Sequence, residues 1–155
     1  MDVKIVNFPQ TKVAVLEHRG PPELKHKSIK RLIAWRMENR LPPDKHQSYG
    51  VHYNDPAVVP ADTYRVDLCV SVDEDISENS YGVIIKTIPS CRCALARHLG
   101  SRENVTAAAY LYNEWLPMSG EKPGAFPIFF HYVNVGPDVR EKDMITDVYL
   151  PLTDR

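Results

Sequence analysis

The sequence predicts an α+β fold built from a duplicated β-α-β-β repeat, and three observations carry that prediction. The chain matches itself at an offset of about 80: Val3 meets Val83, Ile5 meets Ile85, Pro9 meets Pro89, Ala14 meets Ala94 and His18 meets His98. Gly20 meets Gly100, Trp35 meets Trp115 and Asp67 meets Asp147 in the same frame. Residue classes agree along it too, KVAVLEHRG over RCALARHLG and YRVDLCVSV over MITDVYLPL. Finally, each half reads as strand, helix, strand, strand, with Gly and Pro between the segments. The expected repeats are about 1–78 and 79–155, together one domain over 1–155, a length one core can serve.

Each element has its own local reason. MDVKIVNFPQ opens as a strand, and TKVAVLEHR alternates with β-branched residues, so it is a second. Gly20-Pro21-Pro22 opens a helix over 23–39, proline being tolerated in a first turn. Leu24, Ile29, Leu32, Ile33 and Met37 keep near-helical spacing there, and Leu41-Pro42-Pro43 ends it. SYGVHY and YRVDLCVSV are strands joined by the loop NDPAVVPAD. In the second half YGVIIKTIP and RCALARHL are strands. Ser101 is the expected N-cap of a helix to Leu116 that turns Val105, Ala108, Tyr112, Trp115 and Leu116 inward, with Pro117 as its stop. PIFFHYVN and ITDVYLPL complete the set. Short connections imply antiparallel pairing, and two helices on one face of such a sheet form an α+β layer arrangement.

Composition narrows the function. Hydrophobic residues at 43% and charged residues at 25% are those of a folded globular chain. A net charge of −1 and a pI near 6.6 argue against direct nucleic-acid or anionic-membrane binding. No run of about 18 apolar residues occurs, no signal peptide is legible, and the three cysteines make no disulfide framework. The expected location is the cytoplasm, with reduced thiols. Cys91-x-Cys93 lacks the usual zinc spacings, so neither metal nor cofactor is expected. No nucleophile elbow, GxGxxG or P-loop is present, and no catalytic residue is assigned.

YRVDLCVSV, IPSCRCALARHLG, YNEWLPMSG, PIFFHY and TDVYLPL, in this order, resemble the GyrI-like domain. That is the small-molecule-binding domain also found as the effector-binding part of AraC-type and multidrug-sensing transcription activators. The resemblance covers about 3–152 and implies a curved antiparallel sheet, two helices and an aromatic-lined groove between the halves. It also implies a small hydrophobic or amphipathic ligand. The family's motif carries Pro, Phe, Glu, Tyr and Asn; this chain supplies Pro127, Phe129, Tyr132 and Asn134 but has Phe130 at the acidic position. A phenyl ring offers a cation only a π contact of roughly 0.5–2 kcal/mol, so a neutral aromatic or aliphatic ligand is expected rather than a strongly cationic one.

The expected ligand-binding residues are Trp35, Val51, Tyr53, Glu114, Trp115, Ile128, Phe130 and Tyr132. Alternate residues of a strand share a face, so Ile128, Phe130 and Tyr132 are expected toward the cavity, Phe129 and His131 toward core and helices. A one-residue gap in the repeat aligns Tyr53 with Tyr132 and Val51 with Phe130, making the opposite wall. Glu114 is a spare carboxylate. Asp67 and Asp147, inside apolar strands, are expected to tie neighbouring turns, Asp67 with Arg65 at hand; His18 and His98 are expected to bond backbone. The leading function is small-molecule binding in sensing or sequestration. The resemblance leaves two alternatives, inhibition of DNA gyrase by protein–protein contact and hydrolysis of cyclopropanoid compounds using Tyr53, Tyr132 or Glu114. A transcription regulator is the further expected partner.

Overall fold

The structure, a computed structural model, describes residues 1–154. Its strands are β1 (Val3–Phe8), β2 (Thr11–Arg19), β3 (Ser48–His52), β4 (Arg65–Ser71), β5 (Ile84–Ile88), β6 (Cys91–Leu99), β7 (Phe129–Tyr132) and β8 (Ile145–Pro151). Helix α1 spans Lys25–Glu38; the second helical region runs as α2 (Thr106–Tyr110), a π-helical stretch (Leu111–Trp115) and α3 (Leu116–Ser119). The class is α+β and antiparallel, with the β-α-β-β order twice, as β2-α1-β3-β4 and β6-α2/α3-β7-β8, each preceded by an opening strand, β1 or β5. No described helix is long and apolar enough to cross a membrane.

The described chain divides into two compact units, 1–10 with 89–154 (unit 1) and 11–88 (unit 2). Their boundaries differ from the sequence repeats because opening strands are exchanged. β1 pairs with β6 of the later repeat, and β5 pairs with β2 of the earlier one. Unit 1 therefore orders its strands β1-β6-β8-β7, and unit 2 orders them β3-β4-β2-β5.

Within unit 2, Ala14, Leu16, Val66, Leu68 and Val70 point to the helix side and pack with Leu32, Trp35 and Tyr64. Within unit 1, Ala94, Ala96, Val148 and Leu150 do the same with Ala107, Leu111 and Ile128. Both units turn the corner after their long strand identically. The N–H of Gly20 bonds Tyr64 O at 3.0 Å and that of Gly100 bonds Met144 O at 2.8 Å. Their φ values of 122° and 109° lie where only glycine is comfortable.

The helices depart from expectation. In α1 the buried line is Ser28, Leu32 and Trp35; Ile29, Ile33 and Met37 lie roughly 90–170° further round and are exposed. The second helix begins at Thr106, not after Ser101, whose Oγ instead accepts the Glu103 N–H at 3.2 Å. Ala107 and Leu111 are its buried residues, while Tyr112 faces out. Pro117 does not stop it. The proline has no N–H for the helical ladder, and the wide π turn lies immediately before it. The helix ends at Gly120, φ 75°, a left-handed C-cap.

Candidate functional site

Register decides which side chains can meet. Phe130 is opposite Val148, and His131 is opposite Asp147. Val148 is fully buried in the helix-side core, so Phe130, with Ile128, faces the helices. Phe129 faces the other way. It stacks on Tyr149 with ring centres 5.0 Å apart and meets Phe8 edge-on at 4.9 Å. The expected assignment of Phe129 to the helices and Phe130 away from them is thus reversed.

The one-residue gap misplaced Val51 and Tyr53 as the opposite wall, since slipping a strand by one residue moves every side chain to the opposite face. The repeat is ungapped. Val51 is opposite Asp67 as His131 is opposite Asp147. The Tyr53 N–H bonds Arg65 O at 3.2 Å, as the Val133 N–H bonds Ile145 O at 3.0 Å. Gly50 is therefore the counterpart of Phe130, and His52 that of Tyr132. Val51 and Tyr53 lie on the side of unit 2 away from its helix.

On the helix side of unit 1, Ile128 belongs to the core, and Trp115, Leu116 and Phe130 pack onto that core while staying half-buried. Tyr132 meets Phe130 edge-on at 6.4 Å, and the Arg102 guanidinium lies over its ring at 5.2 Å. Four of the expected residues, Trp115, Ile128, Phe130 and Tyr132, therefore share one face. Arg102 was missed; it sits outside the motif and has no counterpart in the first repeat, where Pro22 stands. Glu114 is on the outer side of the helix, in an open depression of about 430 Å³ lined by Met1, Thr106, Ala109, Tyr110, Asn113 and Glu114.

Unit 2 disposes of its expected residues differently. Trp35 is 2% exposed and fills the helix-side core. Tyr53 donates from its hydroxyl to Asp67 Oδ2 at 2.7 Å, which with burial raises its pKa. Asp67 also accepts from Arg19 Nη2 at 3.1 Å and Lys86 Nζ at 2.8 Å. Arg65 does not pair with it and stacks over the Tyr53 ring at 4.8 Å. Asp147 takes both arms of Arg97, at 2.8 and 3.0 Å. Both aspartates brace strands across their sheets and tie no turn.

The histidines divide. His18 and His98 each donate from Nε2 to a carbonyl three residues on, Pro21 O at 3.1 Å and Ser101 O at 2.9 Å. His52 lies on the helix side, and burial together with the Lys25 charge lowers its pKa to about 3. Burial likewise lowers that of His131, against the pull of Asp147. The Cys91 and Cys93 sulfurs are 3.3 Å apart, and burial raises both pKa values. No group of three or more His, Cys, Asp or Glu side chains that could hold a metal occurs among the described residues.

The chain is thus a duplicated antiparallel α+β domain with one helix per repeat and an aromatic face under the second helix. The chain belongs to the GyrI-like family, described as the GyrI-like small molecule binding domain, which matches residues 1–153. It is 42% identical over 154 residues to the probable transcriptional regulator YgiV of Escherichia coli K12, covering 98% of this chain and 96% of that protein. It is 27% identical to a DNA gyrase inhibitor of Erwinia billingiae, covering 99% of this chain and 98% of the other. Among solved structures it is similar to the EcmrR C-terminal domain, with a TM-score of 0.76 at 13% identity over 99% of this chain and 98% of that one. That likeness shows the fold.

Proposed function

We propose that the chain binds a small amphipathic molecule with an aromatic or aliphatic body at the helix-side face of unit 1, in sensing or sequestration. The observation that carries this is the half-buried group of Trp115, Phe130 and Tyr132, which unit 2 replaces with a sealed Trp35 and Gly50. Apolar burial drives such binding at about 25 cal/mol per Å² before ordering costs. The name of the 42%-identical relative, a probable transcriptional regulator, supports a sensing role. Phe130 at the family's acidic position removes the counter-charge a cation would use, so neutral bodies are preferred over cations. A thermal-shift comparison of 2-naphthylethanol and 2-naphthylethylammonium on wild type and Phe130→Glu tests this. The substitution is expected to move the preference toward the ammonium; identical ranking by both proteins refutes a role for residue 130.

A second reading, inhibition of DNA gyrase through protein contact, draws on the 27%-identical relative of that name. A supercoiling assay left unchanged by equimolar protein would remove it.

A further inference from the structure

Arg102 stands at the edge of the face just proposed to hold the ligand. Its Nε donates to Thr146 Oγ1 at 3.0 Å. Its Nη2 donates to Asn134 O at 2.9 Å, Asn134 Oδ1 at 3.2 Å and Ile145 O at 2.8 Å. Every one of these acceptors is neutral. Nη1 has no hydrogen-bond partner among the described residues, and none of the described ion pairs includes this guanidinium. Burial lowers its pKa, as befits a cation whose charge no carboxylate offsets. A half-buried unpaired charge is costly, so its presence calls for a reason.

Holding the neighbouring turn is not that reason, because unit 2 makes the same turn without it. Asn134 donates to Asp143 O at 2.8 Å and accepts the Ile145 N–H at 2.8 Å. Asn54 donates to Thr63 O at 2.8 Å and accepts the Arg65 N–H at 2.9 Å. There the place of Arg102 is taken by Pro22. The guanidinium is an addition to unit 1 alone, on the unit whose aromatic face is half-covered.

We propose that Arg102 is the anion-binding residue of this site and that the ligand is an amphiphilic carboxylate, its apolar body on Phe130 and Trp115 and its acid group on the free Nη1 of Arg102 beside Tyr132. The inference rests on the small-molecule reading above and adds the ligand's charge. A guanidinium presents N–H groups in a fork that matches a carboxylate, and residue 130, a phenylalanine, supplies no competing negative charge.

Isothermal titration calorimetry with three ligands sharing one ring system tests it: 2-naphthylacetate, 2-naphthylethanol and 2-naphthylethylammonium. Wild type is expected to bind the acid about tenfold more tightly than the ammonium. Arg102→Gln is expected to bring the acid down to the level of the alcohol while leaving the alcohol unchanged, and Arg102→Lys to retain part of the preference. Equal binding of all three by wild type, or an acid preference that survives Arg102→Gln, overturns the charge assignment and leaves the small-molecule reading standing. Binding of none of the three overturns both. The wild-type ranking decides the matter even where a variant does not fold.

Discussion

Units 1 and 2 share a backbone plan and spend it differently. The same histidine-to-carbonyl bond, the same glycine corner and the same asparagine-closed turn recur in each. Unit 2 sets a regular helix of 14 residues over its sheet and buries Trp35 completely. Unit 1 breaks its helix with a π turn and leaves Trp115, Phe130 and Tyr132 half-covered, with an unpaired guanidinium beside them. On the proposed reading, duplication separates two jobs: one copy carries stability through apolar packing and a dense charge network, and the other keeps a face for ligand.

Large-to-small substitution of the two tryptophans breaks or sharpens this contrast most strongly. Trp35→Ala is expected to cost about 3–5 kcal/mol in urea denaturation, as for a filled core site. Trp115→Ala should cost only about 1–2 kcal/mol, since less apolar area leaves water there. Equal losses would mean that both helices seal their sheets alike.

The buried aspartates come next. Asp67→Asn removes the buried carboxylate shared by Tyr53, Arg19 and Lys86; Glu17 still holds the two cations at 2.9 and 2.7 Å, so about 2 kcal/mol should be lost. Asp147→Asn strands only Arg97, which is 54% exposed, and about 1 kcal/mol is expected. The ratio of the two, read from the same denaturation midpoints, checks whether unit 2 carries the heavier electrostatic network.

At neutral pH the smallest effect concerns His52. Its folded pKa of about 3 lies below the ordinary value near 6.5. Between those limits the unfolded chain takes up a proton that the folded one refuses, so stability falls as pH drops through that window. His52→Gln should flatten the slope by up to about 1 kcal/mol per pH unit. An unchanged slope would place the acid sensitivity elsewhere.

Much of this was legible in the letters. The frame shared by Trp35 and Trp115 and by Asp67 and Asp147 carried the duplicated β-α-β-β order, and the alternation in TKVAVLEHR and YRVDLCVSV located β2 and β4. The faces of β7 were not legible, because PIFFHYVN is apolar on both sides and its alternation carries no direction. A signal was present all the same: Asn54 and Asn134 align only when no gap is introduced. The exchange of β1 and β5 depends on long-range pairing that no local pattern records. The late start of the second helix escaped notice because Ser101 forms a local turn that imitates a cap. Arg102 carried no motif, and its significance comes from the acceptors around it.

The central claim is that ligand meets the helix-side face of unit 1, and amide-resolved NMR titration with 2-naphthylethanol tests it most directly. Perturbations should centre on Leu111–Trp115 and Phe129–Tyr132, with Arg102 at their edge. Perturbations centred on α1 around Trp35, or none at saturating ligand, would contradict the account.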